Sequence, residues 1–259
     1  DNTIGGAGDI GQCRGLVHLN LSHNLIDGSL DLSGLTMLQT LDVSGNRLVG
    51  GVAANFTAIC GDLAVFNVST NRLTGNITGM FDGCTRLEYV DLSSNNFTGE
   101  LWPGVARFRQ FNVAENKLTG SVPPATFQDG CKLESLDLSA NNLTGSLPDS
   151  IAKCANLTYL SLWGNGFNGA IPAGLGKLAV IETIILGNNT FDRQIPSELM
   201  KCTKLQFLDI SSNSFGGDVQ DTFGRFASLR YLVLHHNNYT GGIVSSGVLR
   251  LPLLARLDL

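Results

Sequence analysis

A nine-residue motif, L-x-x-L-x-L-x-x-N, occurs ten times in this 259-residue chain. Phe, Val or Ile sometimes replaces a leucine, whereas the asparagine is present in every copy. The spacing between successive asparagines is 21 to 25 residues and is most often 24. Ten copies in register exclude chance, so the chain is built from one repeated structural unit. The motif asparagines are Asn24, Asn46, Asn71, Asn95, Asn116, Asn141, Asn165, Asn189, Asn213 and Asn237.

Residues before each asparagine alternate between apolar and other side chains, as in 136–138, and this alternation predicts a short strand. One such strand cannot bury its apolar face alone, so neighbouring repeats must stack at about 4.8 Å per strand into a parallel sheet. The sequence therefore predicts an α/β solenoid. We expect a right-handed superhelix with a parallel β-sheet on the concave face and short helical or 3-10 segments on the convex side.

Two residue types recur at fixed places around the predicted turn. The asparagine amide carries donors and an acceptor on a short stem, so it can satisfy backbone groups that the turn leaves without partners. A glycine follows nine of the ten asparagines at a fixed distance, which suits a tight passage or a positive φ. Arg193 interrupts this column, and we expect local strain or a shifted turn there. The glycines are Gly28, Gly50, Gly75, Gly99, Gly120, Gly145, Gly169, Gly217 and Gly241.

Charge and hydropathy exclude several classes of protein. The net charge of −5 argues against a nucleic-acid-binding protein, and no apolar run reaches the length of a membrane span. Residues 2–6 match the tail of an earlier copy and residues 254–259 match the head of an eleventh. We expect residues 1–259 to form a single solenoid fragment whose two terminal caps, and any membrane span, lie outside this segment.

The six cysteines stand two or three residues before the first leucine of a motif. Because they recur as one column on the helical side of the repeat, we expect free, buried thiols. The alternative is a disulfide between neighbouring repeats, Cys60 with Cys84 or Cys131 with Cys154, which requires Cα atoms within about 7 Å. The other two cysteines are Cys13 and Cys202.

Nine Asn-x-Ser/Thr triplets favour a protein of the secretory pathway that carries N-linked glycans. Asn55, Asn76 and Asn156 lie outside the repeat consensus and are the stronger candidates. The remaining six are Asn20, Asn67, Asn96, Asn142, Asn188 and Asn238.

From the seventh copy onward, aromatic and β-branched residues occupy strand positions that should face solvent. An exposed apolar patch with a polar rim marks an interaction site, for which Trp and Tyr are common anchors. The alternative is that these aromatics stack across neighbouring strands to stabilise the sheet. The candidate ligand-binding residues are Tyr159, Trp163, Ile185, Phe207, Asp209, Tyr231, Val233, His235 and His236.

Catalysis, a cofactor and a metal site are not predicted. Asp42, Asp137 and their equivalents recur in one strand column, which identifies them as scaffold. The histidine pairs 18/23 and 235/236 lie nine repeats apart and lack Cys, Asp or Glu partners at ligand spacing.

The second half of the repeat, L-T-G-x-I/V/L-P, resembles the plant-specific class of leucine-rich repeat (LRR). It occurs as NKLTGSVP at 116–123, NNLTGSLP at 141–148 and NGFNGAIP at 165–172. This class is typical of the extracellular regions of plant receptor-like serine/threonine kinases. The resemblance implies an extracellular LRR domain at the cell membrane, with the membrane helix and the kinase elsewhere in the chain.

The same resemblance implies that an extracellular peptide or small molecule binds the concave or lateral surface, together with an LRR co-receptor kinase, to signal in immunity or development. Several peptide receptors of the family carry Arg-x-Arg on a strand for the C-terminal carboxylate of the ligand. Arg107 and Arg109 have that spacing but precede their strand. The alternatives are a kinase-less LRR receptor-like protein and a secreted LRR inhibitor of microbial cell-wall-degrading enzymes.

Overall fold

One strand from each repeat joins a single parallel sheet. The computed structural model describes residues 3, 5, 10–52, 56–219, 223–242 and 247–259, and within them this sheet has 11 strands. Each strand pairs with the next along the chain, so the predicted parallel stack is confirmed. The strands are β1 (His18–Asn20), β2 (Thr40–Asp42), β3 (Val65–Asn67), β4 (Tyr89–Asp91), β5 (Gln110–Asn112), β6 (Ser135–Asp137), β7 (Tyr159–Ser161), β8 (Thr183–Ile185), β9 (Phe207–Asp209), β10 (Tyr231–Val233) and β11 (Arg256–Asp258).

The L-T-G half of the repeat forms further short parallel strands, which the sequence did not predict. They pair between neighbouring repeats in sheets of four, three and two strands. The four-stranded sheet contains Asp27–Gly28, Arg47–Gly51, Arg72–Asn76 and Asn96–Thr98. The three-stranded sheet contains Thr144–Gly145, Gly166–Gly169 and Thr190–Phe191, and the two-stranded sheet contains Gly216–Asp218 and Asn238–Thr240.

Short helical segments return the chain from this second set of strands to the next long-sheet strand. Several begin directly after a proline whose φ lies between −63° and −74°, which suits the entry to a helical turn. Among the described residues, no helix is long and apolar enough to span a membrane. The 3-10 helices are Ile10–Gln12, Pro103–Arg107, Pro124–Thr126, Asp149–Lys153, Ala173–Lys177, Ser197–Lys201 and Gly247–Arg250, and one α-helix covers Phe56–Ile59.

The apolar positions of successive repeats form one continuous core between the long sheet and the helical segments. The middle residue of every strand from β1 to β10 is buried. Phenylalanines extend this core: Phe191 is fully buried and stacks between Phe167 and Phe215, with ring centroids 6.3 and 5.9 Å apart. Because each repeat is covered only by its neighbours, packing between adjacent repeats supplies most of the stability of such an array.

The motif asparagines tie each repeat to the preceding one. Asn141 Nδ2 donates to the carbonyl oxygens of Leu138 (3.1 Å) and Ser139 (3.0 Å) in its own turn. It also donates to the carbonyl of Val113 in the preceding repeat (2.9 Å), and its Oδ1 accepts the Leu118 N–H at 2.9 Å. The same arrangement recurs along the column, for example at Asn189. The amide therefore satisfies backbone groups of two repeats at once.

The residue directly before each motif asparagine adopts a positive φ, such as 55° at Glu115 and 54° at Asn188, and glycine fills this place in two repeats. The nine glycines of the predicted column also have positive φ, between 74° and 133°. Arg193 does not adopt a positive φ, so the backbone follows a different path at this repeat. Avoiding the left-handed region spares this side chain a penalty of about 1 kcal/mol.

The prediction of free cysteines is wrong for four of the six. Cys60 is bonded to Cys84 and Cys131 to Cys154, with Cα atoms 4.4 and 4.8 Å apart. Parallel stacking places equivalent positions of consecutive repeats one strand spacing apart, and this spacing lies within the range that a disulfide spans. A bridge therefore forms where two consecutive repeats both carry cysteine in this column.

Cys13 and Cys202 are free. Cys202 is buried as expected, and its Sγ lies 3.2 Å from the carbonyl oxygen of Leu175. Burial raises the pKa of the Cys202 thiol to about 11, which keeps it protonated and unreactive at neutral pH. Cys13 is exposed, contrary to the expectation of a buried thiol.

Removing one bridge with the double substitution Cys131→Ala and Cys154→Ala is expected to lower the free energy of unfolding by about 3 kcal/mol. The bridge closes a loop with a sequence separation of 23 residues, and losing it enlarges the conformational freedom of the unfolded chain. Urea unfolding of the wild type, the double variant and Cys13→Ala would measure the difference, since Cys13→Ala removes only a free exposed thiol. Identical unfolding midpoints for these three proteins would contradict the cross-link.

Candidate ligand-recognition surface

The common register of the strands lines up equivalent side chains in columns on the concave face. The first residue of each strand forms the first column, in which Phe207 lies beside Tyr231. The third residue forms the second column, in which Asp209 lies between Ile185 and Val233. The residue two positions after each strand forms a third column, which contains Trp163. Since the middle residues of β1 to β10 are buried, contacts to a ligand on this face fall to these three columns.

Phe207 and Tyr231 form an aromatic pair on β9 and β10. Their ring centroids are 5.8 Å apart with the rings tilted by 35°. Phe207 is half-buried, whereas Tyr231 remains 42% exposed. The pair supports the sheet through a cross-strand contact and still presents apolar surface to solvent.

Trp163 is the most exposed aromatic of the candidate set, at 44%. Its indole lies against Gly187, because a Cβ placed on that glycine would be 3.1 Å from Trp163 Cδ1 and 2.9 Å from Ser211 Oγ. A residue with a side chain at 187 would therefore displace the indole. Gly187 therefore contributes to the surface, because its lack of a side chain leaves room for the Trp163 indole.

Tyr159 lies at the border of the surface. Its hydroxyl donates to Asp137 Oδ2 at 3.3 Å, and Thr183 separates it from Phe207 in the first column. Burial raises the pKa of the Tyr159 hydroxyl, and the negative charge of Asp137 raises it further. This side chain is therefore tied to the preceding strand of the scaffold by its hydroxyl.

His235 and His236 lie close to each other after β10, with their Nδ1 atoms 2.7 Å apart. His235 is half-buried, and His236 is exposed with a φ of 55°. Across the described part of the chain, no group of three or more His, Cys, Asp or Glu side chains could hold a metal ion. His235 stands in the third column at the end of β10, and His236 follows it at the edge of the candidate surface.

The structure thus brings six of the nine candidates together on four consecutive strands and leaves Tyr159, His235 and His236 at the margins. We call these six residues the C-terminal patch. They are Trp163, Ile185, Phe207, Asp209, Tyr231 and Val233.

A second apolar patch lies on β3 to β5, and the sequence analysis did not identify it. Val65 and Tyr89 are neighbours in the first column, and Tyr89 is 39% exposed. They line a concavity of about 370 Å³ together with Asn67, Asp91 and Gln110. The signal was present in the sequence, because both residues occupy outward strand positions by the same alternation that identified the C-terminal patch.

Arg107 and Arg109 are both occupied by scaffold contacts. Both precede β5, and Arg109 forms ion pairs with Glu88 (3.1 Å) and Glu134 (2.5 Å) of the adjacent repeats. Arg107 donates to the backbone carbonyl of Phe81. This Arg-x-Arg sequence does not form a pair of free guanidinium groups on the concave face.

The candidate glycosylation asparagines occupy different environments. Asn67 lies in β3, where its Oδ1 accepts the N–H (3.1 Å) and the hydroxyl (2.8 Å) of Ser69, and Asn96 is half-buried. Asn55 lies outside the described residues. The exposed members are Asn20, Asn76, Asn142, Asn156, Asn188 and Asn238.

Comparison with known proteins gives the class of the fold. A family model described as leucine rich repeat matches residues 107–167, and a second LRR model matches residues 37–58, 86–108 and 204–226. These findings confirm the resemblance: the chain is a leucine-rich repeat domain, and its relatives are plant LRR receptor-like kinases and receptors.

One relative is a probable LRR receptor-like serine/threonine-protein kinase of Arabidopsis thaliana. It is 50% identical over 128 residues, which are 49% of this chain and 12% of the relative. The chain therefore spans a small part of that protein.

Solved structures of plant receptors share the fold over nearly the whole chain. A TDR receptor superposes with a TM-score of 0.89 at 29% identity, covering 96% of this chain and 44% of the receptor. The Arabidopsis receptor kinase HAESA, solved in complex with the peptide hormone IDA and the co-receptor SERK1, gives a TM-score of 0.82 at 29% identity. That alignment covers 100% of this chain and 47% of HAESA.

Proposed function

We propose that this chain is part of the ligand-recognition ectodomain of a plant cell-surface receptor kinase and that it binds an extracellular peptide across the C-terminal patch. The observation that carries the proposal is the run of partly exposed apolar side chains on outward positions of consecutive strands. Such a patch on a soluble surface is typical of an interaction site.

The dimensions of the patch favour a peptide over a compact small molecule. From β7 to β10 the sheet advances three strand spacings, or about 14 Å. An extended peptide covers this distance with about four or five residues. The HAESA complex with a peptide hormone supports the same choice for this fold.

The rest of the proposed receptor follows from the relatives. The kinase domain lies outside this LRR segment, and an LRR co-receptor kinase joins the ligand-bound ectodomain, as the co-receptor does in the HAESA complex. Two disulfides fit the oxidising extracellular side of the cell membrane, where the exposed sequons carry N-linked glycans. Signalling serves immunity or development.

An array of synthetic hexapeptides probed with the folded chain would identify peptides that bind, and calorimetry would give their affinities. Trp163→Ala is expected to weaken the strongest of them at least tenfold, because it removes the largest exposed anchor. The melting temperature should change by less than about 2 °C, since the indole is 44% exposed.

Met37→Ala is the control, because Met37 is 54% exposed and lies outside the patch. It should leave both affinity and melting temperature unchanged. Unchanged peptide affinity of Trp163→Ala with a large loss of thermal stability would instead support the alternative that these aromatics serve the sheet. Absence of any binding peptide on the array would contradict the proposed function.

A further inference from the structure

We propose that Asp209 binds a cationic group of the ligand, so that the peptide recognised by the C-terminal patch carries a lysine or arginine side chain, or its own terminal ammonium, next to an apolar side chain. This inference rests on the proposed function and adds the charge of the ligand. It comes from comparing Asp209 with Asp91 and Asp137 of its column, and from the apolar neighbours that distinguish Asp209 from Asp42.

One carboxylate oxygen of these aspartates has the same structural task. Oδ1 of Asp209 accepts the N–H of Ser211 at 2.9 Å and its hydroxyl at 2.6 Å. Asp42 holds Ser44 in the same way, at 3.0 and 2.6 Å. Oδ1 is therefore committed to the turn that follows the strand.

The second oxygen differs from repeat to repeat. Oδ2 of Asp91 accepts a hydrogen bond from Asn112 Nδ2 at 3.2 Å, and Oδ2 of Asp137 accepts one from the Tyr159 hydroxyl at 3.3 Å. Each partner lies on the next strand of the sheet.

Asp209 has apolar neighbours instead. The residues beside it in the second column are Ile185 on β8 and Val233 on β10, and neither side chain carries a donor. On the two strands beyond them, the Tyr159 hydroxyl of β7 donates to Asp137 and the Arg256 guanidinium of β11 pairs with Asp258 at 3.4 Å. Within the described residues, Asp209 Oδ2 therefore has no hydrogen-bond donor or cation as a partner.

A ligand bound to the C-terminal patch must compensate for the desolvation of the Asp209 carboxylate. A ligand that covers Ile185, Phe207 and Val233 also removes water from Asp209, and an ionised carboxylate that loses water without gaining a partner is strongly disfavoured. A cationic donor restores the lost interaction and adds charge attraction. The site consequently selects against wholly apolar ligands as well as for cationic ones.

The aromatic neighbours fit the same chemistry. Phe207 lies two residues before Asp209 on β9 and points to the same face, with Tyr231 against it. Aromatic faces bind the methylenes of a lysine or arginine side chain and attract its charge. Asp209 and the aromatic pair thus form one subsite for a cationic side chain with an apolar stem.

Asp209→Asn is a suitable test because the chain itself shows that asparagine preserves the turn. Asn67 occupies the equivalent position of β3 and accepts the Ser69 N–H and hydroxyl at 3.1 and 2.8 Å. The matched control is Asp42→Asn, which removes the same charge between the polar neighbours Asn20 and Asn67. Both variants should keep the wild-type melting temperature.

The probe is the strongest hexapeptide from the array and three analogues. In the first two analogues, citrulline replaces each arginine or acetyl-lysine replaces each lysine, and in the third the N-terminus is acetylated. We expect Asp209→Asn to weaken binding of the parent peptide at least tenfold. The affinity for the neutral analogue, in which the recognised cation has been replaced or acetylated, should be the same for Asp209→Asn and the wild type. Asp42→Asn should change neither. The side-chain analogues and the acetylated terminus together show which ammonium or guanidinium group is recognised.

Three results would overturn the inference, and the first two distinguish it from the proposed function. If Trp163→Ala weakens binding while Asp209→Asn does not, the patch binds peptides but Asp209 does not bind their cationic group. If neither substitution weakens binding, the proposed function fails together with the inference. Tighter binding of the neutral analogue than of the parent peptide would also contradict it.

Discussion

Replacing Asn141 with alanine is expected to lower the free energy of unfolding by about 4 kcal/mol. The substitution removes the donors to the carbonyls of Leu138, Ser139 and Val113 and the acceptor for the Leu118 N–H. Asn141 is only 8% exposed, so water cannot readily replace these bonds. Each buried polar group left without a partner costs about 1 to 3 kcal/mol, and partial relaxation of the turn limits the sum.

Asn142→Ala provides the matched control, because Asn142 is the next residue, is exposed and is not part of the asparagine column. Urea unfolding should leave this variant within about 0.5 kcal/mol of the wild type. Hydrogen exchange gives a local readout: the Leu118 amide should lose protection in Asn141→Ala and retain it in Asn142→Ala. Equal free energies of unfolding for the two variants would show that the motif asparagine does not stabilise the solenoid.

The long sheet could be predicted from the sequence because it depends on a short-range pattern. The alternation at 136–138 identifies a strand, and the 24-residue period places the same strand in every repeat. Once strands are stacked in register, the direction of each side chain follows. This is why Trp163, Phe207 and Tyr231 could be placed on one surface before the structure was known.

The second set of strands had no comparable signal. Strands such as Thr144–Gly145 span two residues and exist only because neighbouring repeats supply hydrogen bonds, so no alternation marks them. The disulfides depend on distances between repeats in the same way. The sequence left a bridge between Cys131 and Cys154 as an alternative to buried free thiols, and the Cα separation of 4.8 Å decides for the bridge.

The chemistry of the candidate site also depends on neighbours across strands. Asp209 has the same sequence context as Asp137, and both are followed two residues later by serine. The Tyr159 hydroxyl contacts the second oxygen of Asp137, whereas Asp209 lies between Ile185 and Val233. Similar repeats therefore place the same residue in different surroundings, which the side chains of the adjacent repeats determine.

Phe191→Ala is expected to cost about 4 kcal/mol of stability. Phe191 is fully buried and stacks on Phe167 and Phe215 at 6.3 and 5.9 Å, so its removal leaves a cavity between three repeats. Phe207→Ala is the contrasting variant. Its ring lies on the concave face and contacts Tyr231, so the expected loss of stability is less than about 1 kcal/mol.

Comparing these two phenylalanine variants separates support of the solenoid from recognition. Urea unfolding should show the large loss only in Phe191→Ala. Calorimetry with the strongest hexapeptide, at a temperature where both variants are folded, should show an affinity at least tenfold weaker than that of the wild type only for Phe207→Ala. If Phe207→Ala instead lowers stability as much as Phe191→Ala and binds the peptide normally, the aromatic residues of β9 and β10 serve the sheet. Because one ring lies inside the solenoid and the other on its surface, the same substitution tests both roles in one chain.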